Sequence, residues 1–256
     1  MLWCKVYEGD GPPVLLTHGI LSSRAQWLPN LQALQQFCSP VVVELLGHHQ
    51  SPSPEDSEPY HPDSYVRHFE SIREALGVER WYVVGQSLGA ALTMRYALRC
   101  PETIERHIIT NSTSAFMDNW PAEQLEGMER SARALEKRGR DALERMPLHP
   151  LNAKRVPPDV KQAMIDDATQ HNPLGIANTM RHTVANSPIL KLAGENRVPT
   201  LLLCGEYEKR FIPHKEAAIK HTPMLEVKDL PAGHSVNIGA TEEFNAAVQA
   251  FFFTGK

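Results

Sequence analysis

An apolar run, Trp81-Tyr82-Val83-Val84, stops at Gly85-Gln86-Ser87-Leu88-Gly89, and the mainly apolar Ala90-Ala91-Leu92-Thr93-Met94 begins at once. A buried strand, a turn of almost no length and a buried helix account for the three pieces. So tight a turn strains its central residue, and side chains two positions either side would collide with it. Glycine at 85 and 89 removes those clashes and leaves the Ser87 hydroxyl exposed at the start of a helix. Such a chain must build a sheet with helices laid against it.

The rest of the sequence continues the pattern. Apolar runs at 14–16, 41–43, 108–109 and 201–203 read as further buried strands, and helical periodicity lies between them, as in a parallel sheet wrapped by helices. Tyr65, Phe69, Ile72 and Leu76 share one helical face ahead of Gly77, a C-cap glycine. Phe244, Ala247, Val248, Phe251 and Phe252 make the face of a last helix, with Thr241 as its N-cap. From 116 to 196 there are helical patterns and no convincing strand. Pro121 suits a helix start, Leu125, Met128, Ala132 and Leu135 form a face before Gly139, and a break at Pro147, Pro150, Pro157 and Pro158 precedes further helices near 160–167 and 176–184. The expected organisation is a sheet core in two parts, 1–115 and 197–256, with a helical cap at 116–196. Residues 51–62, with four prolines, read as a surface loop. There are no internal repeats.

A chain of 256 residues can bury a sizeable core without staples. The net charge of −4 is spread without a basic stripe, which speaks against nucleic acid and anionic membranes as partners and leaves a small-molecule substrate. No stretch has the ~20 apolar residues of a membrane span, and the N-terminus lacks a basic segment followed by a long apolar run. The expected location is the cytoplasm. Cys4, Cys38, Cys100 and Cys204 are scattered and read as reduced thiols. His48 and His49 adjoin, but side chains of neighbouring residues on an extended segment point opposite ways; they read as turn histidines shaping a rim, and no metal is expected. No phosphate-cradling glycine motif follows a strand, so no nucleotide or other cofactor is expected. The basic residues between 130 and 140 read as the solvated face of a cap helix.

Two further motifs supply what a nucleophilic serine needs. Acyl transfer builds negative charge on a carbonyl oxygen, and backbone N–H groups can hold it. Leu88, just after the serine, and Ile20, in Thr17-His18-Gly19-Ile20 behind the run at 14–16, are the candidate donors. Ala232-Gly233-His234 lies before the final helix and offers His234 as general base, last in the chain order serine, acid, histidine.

Over almost its whole length the chain resembles an α/β-hydrolase, in the branch with a helical cap between strands six and seven. Thr17-His18-Gly19-Ile20 resembles that family's oxyanion segment and Gly85-Gln86-Ser87-Leu88-Gly89 its nucleophile elbow. Gly47-His48-His49-Gln50-Ser51 is similar to its Gly-His-Gly-x-Ser segment, with His49 where glycine is usual. Leu203-Cys204-Gly205-Glu206-Tyr207-Glu208 resembles the segment that carries the family's acid, usually aspartate, and here offers Glu208; Glu206 and Asp118 are rivals. The resemblance implies a serine hydrolase forming an acyl-enzyme on Ser87 with a small, largely apolar ester or thioester. Phe116, Met117, Trp120, Leu125 and Met128 of the cap are candidate pocket lining. The same triad serves carbon–carbon bond hydrolases and lyases, and a ligand-binding receptor can keep the fold. The sequence does not specify the oligomeric state.

Overall fold

A computed structural model describes residues 1–253. In chain order its strands are β1 (Cys4–Val6), β2 (Pro13–Thr17), β3 (Ser39–Val43), β4 (Trp81–Gly85), β5 (Ile104–Thr110), β6 (Thr200–Gly205) and β7 (Leu225–Leu230). They form one sheet in the order β1-β3-β2-β4-β5-β6-β7, with every pair parallel except β1 against β3.

The central strands read as unbroken apolar runs because both faces of the sheet are covered. Val14, Leu16, Val42, Tyr82 and Val84 point to one side, into a core with Trp27, Phe244 and Phe252. Leu15, Val41, Val43, Trp81 and Val83 point to the other, toward Phe69, Leu92 and Tyr96. Trp27 stands just ahead of α1 (Leu28–Leu34), and the other partners are carried by α2 (Pro62–Ala75), α3 (Leu88–Arg99) and, at the far end of the chain, α10 (Thr241–Phe253). Between them in sequence come α4 (Ala122–Arg138), α5 (Arg140–Glu144), α6 (Pro158–Ala168), α7 (Pro173–Asn178), α8 (Ile212–His221) and α9 (Val236–Gly239).

All five sequence-predicted strands fall within observed ones, and the helices at 65–76 and 241–252 are present. Gly77 follows α2 at φ +66°, a left-handed position that suits glycine. Thr241 does not cap α10: its hydroxyl donates to the carbonyls of Asn237 (3.2 Å) and Ile238 (3.0 Å), because α9 leads into α10 almost without a break.

A helical insertion interrupts the sheet, ahead of the strand that carries the segment 203–208, as expected. It separates the fifth and sixth strands, since the sheet holds seven in all and Thr200–Gly205 is the sixth. Helices α4 to α7 and the π-helical turn Thr179–Val184 make it up. Ala132, Leu135, Leu143, Ile176 and Ala177 form its small core, and Leu21, from the loop after β2, is part of that core.

Candidate active site

Ser87 lies between β4 and α3 at φ 54° and ψ −114°, a conformation that side chains disfavour. The turn is held on both sides. The Gln86 N–H donates to the Thr17 carbonyl (3.0 Å), and the Ala90 N–H donates to the Ser87 carbonyl (3.0 Å). A Cβ on Gly85 would overlap Thr93 Oγ1 and the Gly89 carbonyl, and one on Gly89 would overlap the Thr17 and His18 carbonyls. Leu88 is the first residue of α3, so its N–H precedes the first intrahelical acceptor.

At the end of β6 the chain is stitched to the loop after β7. Glu206 N–H donates to Leu230 O and Tyr207 N–H to Ala232 O, both at 3.0 Å, and only a glycine at 205 leaves room for the Gly233 carbonyl. This brings Glu208 to His234, whose Nδ1 lies 2.9 Å and 3.0 Å from the two carboxylate oxygens. Asn111, fully buried one residue past β5, donates its amide to Glu208 Oε2 and accepts the Gly205 N–H at 3.0 Å. Burial opposes the Glu208 charge. The hydrogen bond and positive field of His234, joined by Asn111, outweigh burial and hold the carboxyl below its ordinary range. Of the rival acids, Glu206 is exposed, and Asp118 lies on the surface 3.6 Å from Lys191.

Ser87, Leu88, Ile20, Glu208 and His234 line one chamber of about 490 Å³. No hydrogen bond joins Ser87 to His234 among the described residues; they meet across the chamber wall. Trp120 and Met128 line it too, together with Met146, Leu148, Met180 and Val184, which the sequence reading did not pick out. The other cap candidates go elsewhere. Phe116 is buried against Ala90, Met94 and Ile109, Leu125 is exposed on an outer recess, and Met117 does not reach the chamber. No lysine or arginine is among the lining residues. A smaller recess of about 130 Å³ shares Ser87 and His234 with the chamber and is bordered also by Gly19, Gln26 and Val156.

The adjacent histidines are not at a rim. His48 is fully buried and His49 nearly so. Burial, with His171 and His18 nearby, holds His48 well below its ordinary pKa, and burial pushes His171 down to about 3. His49 stands in the left-handed region, φ +42°, where glycine is the easier residue. Its side chain is fixed by Asp167 of α6, 3.1 Å from Nε2, and its N–H donates to His171 Nδ1 at 2.9 Å. Among the described residues no group of three or more His, Cys, Asp or Glu side chains is arranged to hold a metal ion, and no helix is long and apolar enough to cross a membrane. All four cysteines are free.

Comparison with known proteins agrees with this architecture. The family model described as alpha/beta hydrolase fold matches residues 12–241. The chain is 25% identical to carboxylesterase YbfK of Bacillus subtilis, over 96% of this chain and 82% of that protein. It is 23% identical to a Bacillus subtilis protein named as a 2-succinyl-6-hydroxy-2,4-cyclohexadiene-1-carboxylate synthase, over 93% of this chain and 89% of the other. Among solved structures, a hydrolase from Pseudomonas aeruginosa PA01 superposes with a TM-score of 0.81 at 22% identity, covering 99% of this chain and 94% of that one. With the fold, the strained serine turn and the matched family model together, the chain belongs to the α/β-hydrolase family and is an enzyme of the hydrolase class.

Proposed function

We propose that this enzyme is a serine hydrolase acting on a small, largely apolar carboxylic ester or thioester. The observation that carries the proposal is the meeting of Ser87, His234 and Glu208 in one apolar chamber, with Glu208 hydrogen-bonded to His234 Nδ1 at 2.9 Å. With Nδ1 committed to the acid, Nε2 is the nitrogen free to serve Ser87. The serine–histidine contact closes when substrate is bound, as catalytic hydrogen bonds commonly tighten only then. His234 takes the hydroxyl proton as Ser87 Oγ bonds to the carbonyl carbon, and the negative charge collects on the carbonyl oxygen. The N–H groups of Ile20 and Leu88 hold that oxygen. Collapse breaks the bond to the leaving group, which departs with the proton from His234. Water, deprotonated by the same histidine, then frees the acid and Ser87.

Residues 116–196 act as the cap, between core parts 1–115 and 197–256. Trp120, Met128 and Met180 shape the chamber for the larger, apolar half of the substrate, and the 130 Å³ recess takes the smaller half. A carbon–carbon bond hydrolase or lyase working on a carboxylate substrate fits less well, because a charge buried in a chamber without lysine or arginine would stay unpaired. A serine held at φ 54° beside a paired histidine and carboxylate supports an enzyme over a receptor.

The test is turnover of p-nitrophenyl esters from acetate to decanoate by the wild-type enzyme. We expect turnover with a maximum at intermediate chain length. Absence of turnover, with no adduct on Ser87 after treatment with an alkyl fluorophosphonate, would reject the reading.

A further inference from the structure

We propose that His18, backed by Glu44, is a positioning residue for the reaction: it clamps the Gly19 carbonyl and so aims the Ile20 N–H at the developing oxyanion. The inference rests on the assignment of Ile20 as an oxyanion donor and adds the device that sets its direction.

His18 is completely buried just past the end of β2, and both ring nitrogens are engaged. Nδ1 lies 2.7 Å from the Gly19 carbonyl oxygen, which can only accept, so Nδ1 carries a proton and donates it. Nε2 lies 2.9 Å from Glu44 Oε2, and Glu44 is itself completely buried. Nε2 accepts the Leu45 N–H at 3.1 Å, which leaves the ring proton on Nδ1, and the Glu44 carboxylate packs against the same edge of the ring. A carboxylate stands beside one ring nitrogen, as Glu208 stands beside His234, although here it is Nε2, and the other nitrogen is left to act. Here the other nitrogen acts on the backbone.

Its target matters because the Gly19 carbonyl and the Ile20 N–H belong to one planar trans peptide unit. Carbonyl and N–H point opposite ways across that plane, so fixing the oxygen fixes the hydrogen. The surrounding loop is pinned in the same manner. Leu21 N–H donates to His48 Nε2 at 3.0 Å, Arg24 N–H to Glu44 Oε1 at 2.8 Å, Ser22 N–H to Gly19 O at 3.2 Å and Gly19 N–H to Gln26 Oε1 at 3.4 Å. Ile20, which lines the chamber, sits in the middle of these restraints. Leu21 is held at φ +58°, a conformation a leucine keeps only where its surroundings impose it.

Four variants of the intact enzyme test this. Removing one oxyanion donor costs ~10²–10³ in kcat, and a misaimed donor approaches that loss. His18→Leu is therefore expected to lower kcat on p-nitrophenyl butyrate about a hundredfold, to weaken inhibition by butylboronic acid in parallel, and to change KM little. His18→Asn places an amide N–H near the position of Nδ1 and should recover most of the loss. His18→Gln reaches toward Glu44 instead and should not. A merely structural histidine would lower the melting temperature in all three without separating Asn from Gln in kcat. If His18→Leu does not fold, the Asn and Gln pair still decides, and equal kcat values for the two overturn the clamp. Ile20→Pro removes the N–H itself. If it keeps wild-type kcat, the oxyanion assignment fails and the clamp with it. If it is crippled while His18→Leu is not, the clamp alone fails.

Discussion

With Asn111 on one carboxylate oxygen and His234 facing both, the Glu208 side chain has little rotational freedom left. Its chemistry should therefore be sensitive to charge more than to shape. Glu208→Gln keeps the volume but offers an N–H where His234 needs an acceptor, and can select the wrong tautomer. By analogy with the aspartate-to-asparagine change in the well-studied serine proteases, kcat is expected to fall by up to ~10⁴. Asp118→Asn, on the surface beside Lys191, should change kcat by less than about tenfold. A mild Glu208→Gln with a crippled Asp118→Asn would move the acid to the cap. Ser87→Ala should abolish fluorophosphonate labelling while leaving the melting temperature near wild type; labelling that persists would remove Ser87 from the nucleophile role. Asn111 had a faint signal in the sequence, a polar residue closing the apolar Ile108-Ile109-Thr110 run. His18 and Glu44 gave less. A buried ion-pairing network has no periodicity, and nothing in the local sequence says that residues 18 and 44 meet.

Among the elements, the parallel strands covered on both faces were legible because burial on two sides writes a continuous apolar word. Edge strand β1 holds no buried residue, and edge strand β7 mostly alternates half-buried and exposed positions, so neither writes a continuous apolar run. Helices α6 and α7 announce themselves by proline in the first turn. The chamber lining was harder to read. Met146 and Leu148 come from the proline-rich break; Met180 and Val184, four residues apart, share a helical face, but spacing alone does not say that the face lines a chamber rather than a core. We expect Met180→Ala together with Trp120→Ala to move the preferred acyl chain toward longer esters, with less change in the rate on acetate. An unchanged chain-length profile would show that the cap does not select substrate. At the end of β6, a Cβ at position 205 would push against the Gly233 and Ala232 carbonyls and part Glu208 from His234. Gly205→Ala should therefore lower kcat at least tenfold, a loss of ~1.4 kcal/mol in transition-state stabilisation. Helix α6 is tied to the loop after β2 through Asp167, which accepts from Ser23 Oγ (2.9 Å) and pairs with Arg24 (3.0 Å). Asp167→Ala should accordingly speed proteolysis within α6 before any cleavage of the sheet core.

For the whole molecule, the buried histidines set the acid limit of stability. His107 and His171 are pushed down to about 3 by burial, and His48 also lies well below its ordinary value for the same reason. Each is neutral in the fold and gains a proton near pH ~6.5 once unfolded. Between roughly pH 6.5 and 3 the unfolded chain thus binds more protons, and stability falls as pH falls, on the order of 1 kcal/mol per pH unit for each residue. The urea midpoint should be level above pH 7 and drop steadily from 6.5 to 5; replacing His107 by an uncharged residue that still folds should flatten the drop. A midpoint indifferent to pH in that range would mean these rings already carry protons in the fold. The pairing of β5 with β6 has a different consequence, one of timing. These neighbouring strands can pair only after the whole helical segment between them has been made and its ends brought together, a closure whose entropic cost grows only slowly with length. Ser87 and the loop carrying Ile20 precede that segment, whereas Glu208 and His234 follow it. On the ribosome, the proposed nucleophile is therefore made well before its proposed acid and base, and the three can come together only after residue 234 has left the tunnel.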